Sequence, residues 1–468
     1  MQAGTISRGA PLRKPLRADR APGNGQVLGM LALGSFPALA LAIVVAKGGG
    51  MSNPWVLPLA AITLLANVMI VSSDIRYGLA MFIVAAGLSP KLPGIYDNLR
   101  VEDFIFAMVF LMWLSQRSRG VRMPPLNSPI VKPFVVLTVV SVLSTGWGLF
   151  LGMVPDPKYS FFLQAKRIEY FLIFYVISTT IRSEAWLRIL TTLFVASGAL
   201  AAVYGLANPQ SAHDQSVADV RVTGPEGENY NTLSGYLVIC IAAGISAIPA
   251  FPRGKTKFFL MLCTVTAAAA VLLSFSREGY VMLLGSLLVF GFTRHRKIVF
   301  GAFLALILVF FLAAPVRENV HNTMGQIRNS QNDDPGSNSL TARFRSWEYR
   351  WNGWFLKQPL LGCGVGSVAL SVDSEYVLRA CEVGILGFSV FLWWLASIGQ
   401  QVRKLQRNRG FAQMISVGLG AAFVGLLIQG SVAASFNSIR TMEPFWFFLG
   451  LVTAAVAIQR QKALQEAK

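Results

Sequence analysis

The stretch 271-VLLSFSREGYVMLLG-285 decides the fold. Arg277 and Glu278 stand between two strongly apolar runs, with no polar loop to carry them into water. Read as one helix, residues 258–293 would run about 54 Å at 1.5 Å per residue, too long for one crossing of a hydrocarbon core about 30 Å thick. One crossing would also set the basic clusters 253-RGKTK-257 and 294-RHRK-297 on opposite sides of a membrane. The positive-inside bias places both on the same side. The chain is therefore expected to turn back near Ser276–Gly279. Arg277 then lies at the tip of a helical hairpin, on the side away from the basic clusters.

The whole sequence fits that reading. Of its 468 residues, 54% are hydrophobic and only 13% are charged. A soluble domain carries roughly 25% charged residues. The mean hydropathy is +0.54. Apolar windows recur at about 27–46, 54–72, 76–89, 102–116, 130–152, 162–179, 186–206, 232–250, 258–274, 279–293, 298–314, 376–398, 411–433 and 443–458. The expected fold is all-α, a polytopic integral membrane protein with about 12–14 transmembrane helices. A soluble helical core would need polar faces that most of these windows lack. Residues 1–25, basic and rich in Pro and Gly, read as a cytoplasmic disordered tail, and 26–468 as one polytopic membrane domain. The first apolar run is too long for the core of a cleaved signal peptide.

The net charge of +19 would suggest nucleic acid in a soluble protein. Here the basic residues cluster in alternate short connections, including 117-RSRGVR-122 and 403-RKLQRNR-409, so they report topology. Both termini are expected in the cytoplasm, with no nucleic-acid partner. Cys240 and Cys263 fall inside apolar runs. Cys363 and Cys381 fall near one membrane face, and a disulfide between them has no framework spacing to support it.

Two connections on the outer side are long: 207–231, and a large loop over 315–375. Topology puts Arg221, Arg277 and Asp373 on that side. In 339-SLTARFRSWEYRWNGWF-355, aromatic residues recur at helical spacing with Arg343, Arg345 and Arg350 on the flanks. This reads as an amphipathic helix in the headgroup region, capped by Ser339 and ended by Gly353 or Pro359. It is either an aromatic anchor or a wall that guides a lipid-linked substrate. The run 362-GCGVG-366 lacks a βαβ setting and reads as a tight turn back to the membrane. In 373-DSEYVLRACEVGILG-387, Asp373 is either a helix cap or a general base, and Tyr376 lies beside it. Arg379 and Glu382 sit within the span at i, i+3, where they either simply pair with each other or, as costly ionisable groups inside a span, point to function. Arginines at Arg221 and Arg277, with Arg343, suit a diphosphate through charge-assisted hydrogen bonds. Glu278 would orient Arg277 or balance its charge. The three histidines are scattered, and no metal site and no cofactor is expected.

The combined pattern resembles the O-antigen ligase and O-antigen polymerase superfamily. It comprises R-x-x-G and an Asn cluster at 221–231, Ser276–Arg277, R-x-x-x-W leading into 358-QPLLGCGVGS-367, and the run from Asp373. The segment 164-QAKRIEYFLIFYVIS-178 is similar to exopolysaccharide-polymerase members. The resemblance implies a bacterial inner-membrane glycosyltransferase with a periplasmic active site. Its donor would be an undecaprenyl-diphosphate-linked glycan, transferred to a glycan acceptor with inversion and without a metal. Arg221 and Arg277 would carry over as diphosphate contacts. The ligase pattern has histidine where this chain has Asp373, followed with the same spacing by Ser374, Gly384 and Gly387. That replacement turns the expectation toward polymerisation of lipid-linked repeat units into O-antigen, capsule or exopolysaccharide. Ligation of glycan to lipid A–core is the alternative, and a transporter of a small anion or lipid-linked sugar is a third. Asp373, Glu375 and Glu228 stand open as the base. A flippase and a chain-length regulator of the same pathway are the expected protein partners.

Overall fold

The computed structural model describes residues 29, 56–88, 100–118, 128–208, 210–211, 220–225, 230–293, 339–368, 373–408 and 410–466. The expected spans at 27–46 and 298–314, the N-terminal tail, Glu228 and much of the large loop lie outside them. Every other apolar window is helical. The helices are α1 (Val56–Ser73), α2 (Ile75–Leu88), α3 (Val101–Ser118), α4 (Val131–Phe150), α5 (Pro157–Thr180), α6 (Glu184–Ala207), α7 (Tyr230–Ala247), α8 (Lys255–Leu273), α9 (Arg277–Phe292), α10 (Ser339–Arg350), α11 (Glu375–Gln406), α12 (Gly410–Gln429) and α13 (Ile439–Glu466). The β-structure among the described residues in this element order is one short ribbon, in which Gln210 pairs with Arg221 and Ser211 with Val220. Among the described residues, seven helices (α4, α6, α7, α8, α11, α12 and α13) are long and apolar enough to cross a membrane. The fold is all-α and polytopic.

The hairpin turn falls where the charge argument puts it. Helix α8 ends at Leu273 and α9 begins at Arg277. Phe275 takes a positive φ of 51° between them. Ser276 caps α9, its hydroxyl accepting from the Gly279 amide at 3.0 Å. Beyond the turn the arms diverge. Helix α8 packs on α6 and α7, whereas α9 packs chiefly on α12. A hydrophobic core runs from Ile70 to Ile458 through most of these helices.

Lipid gives no hydrophobic drive between helices, so close packing must hold them together. At the α9–α12 contact, a Cβ on Gly425 would stand 2.4 Å from Ser286 Oγ and 2.8 Å from the Met282 carbonyl. Gly425→Leu is expected to destabilise the purified protein by about 1–3 kcal/mol through overpacking. Unchanged thermal unfolding in detergent would show that α9 and α12 do not depend on this contact.

Helix α11 departs from a plain span. Gly384 has φ 62° and ψ −172°, which breaks the helix inside the bundle. Broken backbone inside a membrane protein is tolerated where protein satisfies it. Here the loop 359–366 does so. The Cys363 amide donates to the Cys381 carbonyl at 3.0 Å, and the Gly364 amide to the Glu382 carbonyl at 2.8 Å. On the other side of the break, the Ile385 amide donates to the Pro359 carbonyl at 2.8 Å. Gly362, Gly364 and Gly366 all have positive φ, so the glycine run is a tight turn as expected, docked into the break.

Candidate functional site

Three distant segments meet at one guanidinium. Arg343, in the second turn of α10, donates from Nη2 to Glu278 Oε1 at 2.9 Å. Its Nε lies 3.5 Å from Asp373 Oδ2, and Nη1 donates to the Val432 carbonyl at 3.3 Å. The large loop thus ties the tip of the α8–α9 hairpin to the start of α11 and the end of α12. Ser276, one residue before Arg277, is fixed by its own network, with Oγ donating to Asn231 Oδ1 at 2.6 Å. Arg277 follows, half-buried at the helix start. Glu278 lies ahead of the apolar run of α9. Burial pushes its carboxyl up to about 7, the Arg343 cation pulls it down, and Asp373 adds a further push. The Asp373 side chain is 48% exposed, the most open carboxylate of the group.

The structure places the remaining expected residues more deeply. Glu375 is fully buried, bonded to Arg379 Nε at 2.6 Å and to the Phe436 amide at 3.1 Å. Arg379 also donates to Glu382 Oε2 at 3.1 Å and to Asn437 Oδ1 at 2.6 Å. Glu382 accepts the Gly366 amide at 2.8 Å on its other oxygen, so this pair pins the glycine turn to α11. Tyr376 donates to the Leu427 carbonyl at 2.9 Å and fixes α11 against α12. Arg221 pairs with Gln210 in the short ribbon, with only its backbone described.

Helix α10 differs from its sequence reading in one respect. Arg343 and Arg350 turn inward, while Phe344 and Tyr349 are 61% and 67% exposed. The arginines bind protein groups: Arg350 donates to Ser346, and Arg343 makes the contacts above. Phe344, Tyr349 and Trp351 form the outer face, and Trp351 stacks on Phe355 at 4.0 Å.

Sequence reasoning gave no role to Lys166 and Arg167, though the segment 164-QAKRIEY-170 carries them through a span. Arg167 reaches Asn437 Oδ1 at 3.3 Å and Glu382 Oε2 at 3.5 Å, joining the Arg379 network. Lys166 sits among Asp103, Glu169 (2.9 Å) and Glu443 (3.2 Å). Those three carboxylates are close enough to hold a metal ion, and the Lys166 ammonium occupies the space between them. The signal that could have found both residues was ionisable side chains inside an apolar window.

Residues 262–392 match the family model described as O-antigen ligase. Over that segment the chain is similar to the O-antigen ligase family. No curated protein matches the chain. The matched segment holds Arg277, Glu278, Arg343, Gly366, Asp373, Glu375, Arg379 and Glu382, most of the two networks; Arg167, Val432, Phe436 and Asn437 lie outside it. It also contains the break at Gly384 and the turn that fills it.

Proposed function

We propose that this protein polymerises lipid-diphosphate-linked glycan repeat units on the outer face of the bacterial inner membrane, with both termini in the cytoplasm. The supporting observation is the meeting of Glu278 and Asp373 at the Arg343 guanidinium, beside Arg277, inside the O-antigen ligase segment. Arg277 and Arg343, with Arg221 from the short ribbon, receive the donor diphosphate. Asp373 takes the proton from the acceptor sugar hydroxyl. That oxygen attacks the anomeric carbon from the face opposite the phosphate, the carbon–oxygen bond to the diphosphate breaks, and the configuration inverts. The lipid diphosphate leaves with the negative charge, against cations already in place. The exposed, half-tethered Asp373 suits this role better than Glu375, which is buried and held by Arg379. Substrates arrive through a flippase, and a chain-length regulator limits the product.

Ligation to lipid A–core is the second reading, favoured by the description of the matched family. One assay separates the two. Purified protein is incubated in proteoliposomes with undecaprenyl-diphosphate-linked repeat units, with EDTA present. The expected result is a ladder of longer lipid-linked glycans, lost by at least about a hundredfold in rate in Arg277→Ala and Asp373→Asn, as for removal of a charge-stabilising donor. Transfer seen only after adding lipid A–core would make the protein a ligase. No transfer in either case, from folded protein, would end both readings and favour transport.

A further inference from the structure

We propose that the cavity lined by α4, α5, α11 and α13 is a binding site for the end of an uncharged apolar chain that terminates in a hydroxyl, such as a prenyl or acyl alcohol. The hydroxyl sits between Gln164 Oε1 and Arg167 Nε. This site is separate from the Arg343 cluster, and its assignment stands without the polymerase reading.

The cavity has a volume of about 40 Å³ and is lined by Phe134, Leu137, Gln164, Arg167, Arg379 and Trp394, among others. One water needs roughly 10–15 Å³ by the same kind of measure, so the space suits a hydroxyl and the first carbons behind it. One end is polar. Gln164 is only 7% exposed; its amide nitrogen donates to Thr145 Oγ1 at 3.0 Å, while its Oε1 is buried with no hydrogen-bond partner among the described residues. Arg167 Nε, one turn along the same helix, is likewise buried without such a partner. The first is an acceptor and the second a donor. A buried polar atom left unpaired costs about 1–3 kcal/mol. A hydroxyl answers both atoms at once, because it donates and accepts. A phosphate or carboxylate can only accept, and an ammonium can only donate.

The charges around the polar end also favour a neutral head. Arg167 and Arg379 stand against Glu375 and Glu382, which bind them directly. The neighbouring Lys166 is outnumbered by Asp103, Glu169 and Glu443. An anion would find no net positive charge there. The rest of the cavity is apolar and aromatic. The Arg379 guanidinium lies 5.9 Å from the Phe391 ring, and Trp394 follows 5.8 Å further. Helix α4 forms one wall with Phe134, Leu137, Thr138 and Ser141. Its opposite face exposes Val136, Val139 and Leu143 at 38–60%. One helix therefore separates the cavity from the lipid-facing surface, the source of such a chain.

The test uses the purified full-length protein in detergent, with binding read by native mass spectrometry and thermal shift. The probes are farnesol, oleyl alcohol and farnesyl phosphate. At least one alcohol should bind saturably and raise the melting temperature, and farnesyl phosphate should bind at least about tenfold more weakly. Farnesol alone would identify a prenyl source, oleyl alcohol alone an acyl source, and equal binding would show that the hydroxyl is what is read. Leu137→Trp, which fills the cavity, should abolish binding, as should Thr138→Leu from the same face if the first variant fails to fold. Gln164→Leu should weaken binding about tenfold. Saturable binding of neither alcohol would mean an internal-water site only and would overturn the proposal. So would farnesyl phosphate binding as tightly as farnesol, or alcohol binding unchanged in Gln164→Leu.

Discussion

Gly384→Ala is expected to unseat the glycine turn from α11 and to destabilise the protein by about 2–6 kcal/mol. Two independent costs combine. A backbone at φ 62° and ψ −172° lies in a region that only glycine occupies readily, so a Cβ brings strain of about 1–3 kcal/mol. The added Cβ would also stand 2.4 Å from the Leu360 carbonyl oxygen and 2.6 Å from the Gly362 amide nitrogen. Both are backbone atoms of the docked turn, so relief requires the turn to move. Movement strips partners from the carbonyls of Cys381 and Glu382, which the break leaves without helical ones. A specific readout exists. Cys363 and Cys381 are both fully buried at this joint. Burial pushes the Cys363 thiol up to about 11, with Lys357 pulling the other way, so it is inert in the native state. Maleimide labelling of these thiols should rise sharply in Gly384→Ala. Gly146→Ala, where nothing lies within 4 Å of the new Cβ, is the control. Labelling and melting temperature both equal to those of the control would show that the break does not depend on glycine.

The sequence was informative wherever one local rule acted alone. Apolar windows and the placement of basic clusters located the helices and the turn at Ser276, because hydrocarbon thickness and positive-inside bias do not depend on packing. The break in α11 was not legible in the same way. Gly384 in an apolar run looks like any other glycine of a membrane helix. What marks it is the loop 359–366 docking from elsewhere in the chain, and docking is tertiary. The inward turn of Arg343 was hidden for a similar reason. Helical spacing placed it on the flank of an aromatic face, but its partners Glu278 and Asp373 come from two other segments. The Arg379–Glu382 pairing was legible, since i, i+3 partners lie on one helix. Arg167 was not, because Asn437 and Glu382 lie 270 and 215 residues away.

Arg379→Met should cost about 3–5 kcal/mol, the usual result of removing one partner from a buried charge network. Methionine keeps much of the volume, so the loss reports charge and hydrogen bonding. The change leaves Glu375 and Glu382, at 0% and 1% exposure, with one arginine fewer between them. Glu375 keeps the Phe436 amide, and Glu382 keeps the Gly366 amide and a 3.5 Å contact to Arg167. Those bonds are too few to hold two carboxylates ionised out of water. If the penalty is electrostatic, neutralising a carboxylate should return part of it. Arg379→Met with Glu375→Gln is therefore expected to be more stable than Arg379→Met alone, while Glu375→Gln alone is less stable than the parent protein. This crossing pattern is a double-mutant cycle with a coupling energy of about 0.5–3 kcal/mol. Simple additivity would assign Arg379 a packing role, and the Glu382 anchor of the glycine turn would then have to hold without it. With coupling present, the buried pair and the break at Gly384 act as one device, in which the charges fix the turn and the turn closes the helix.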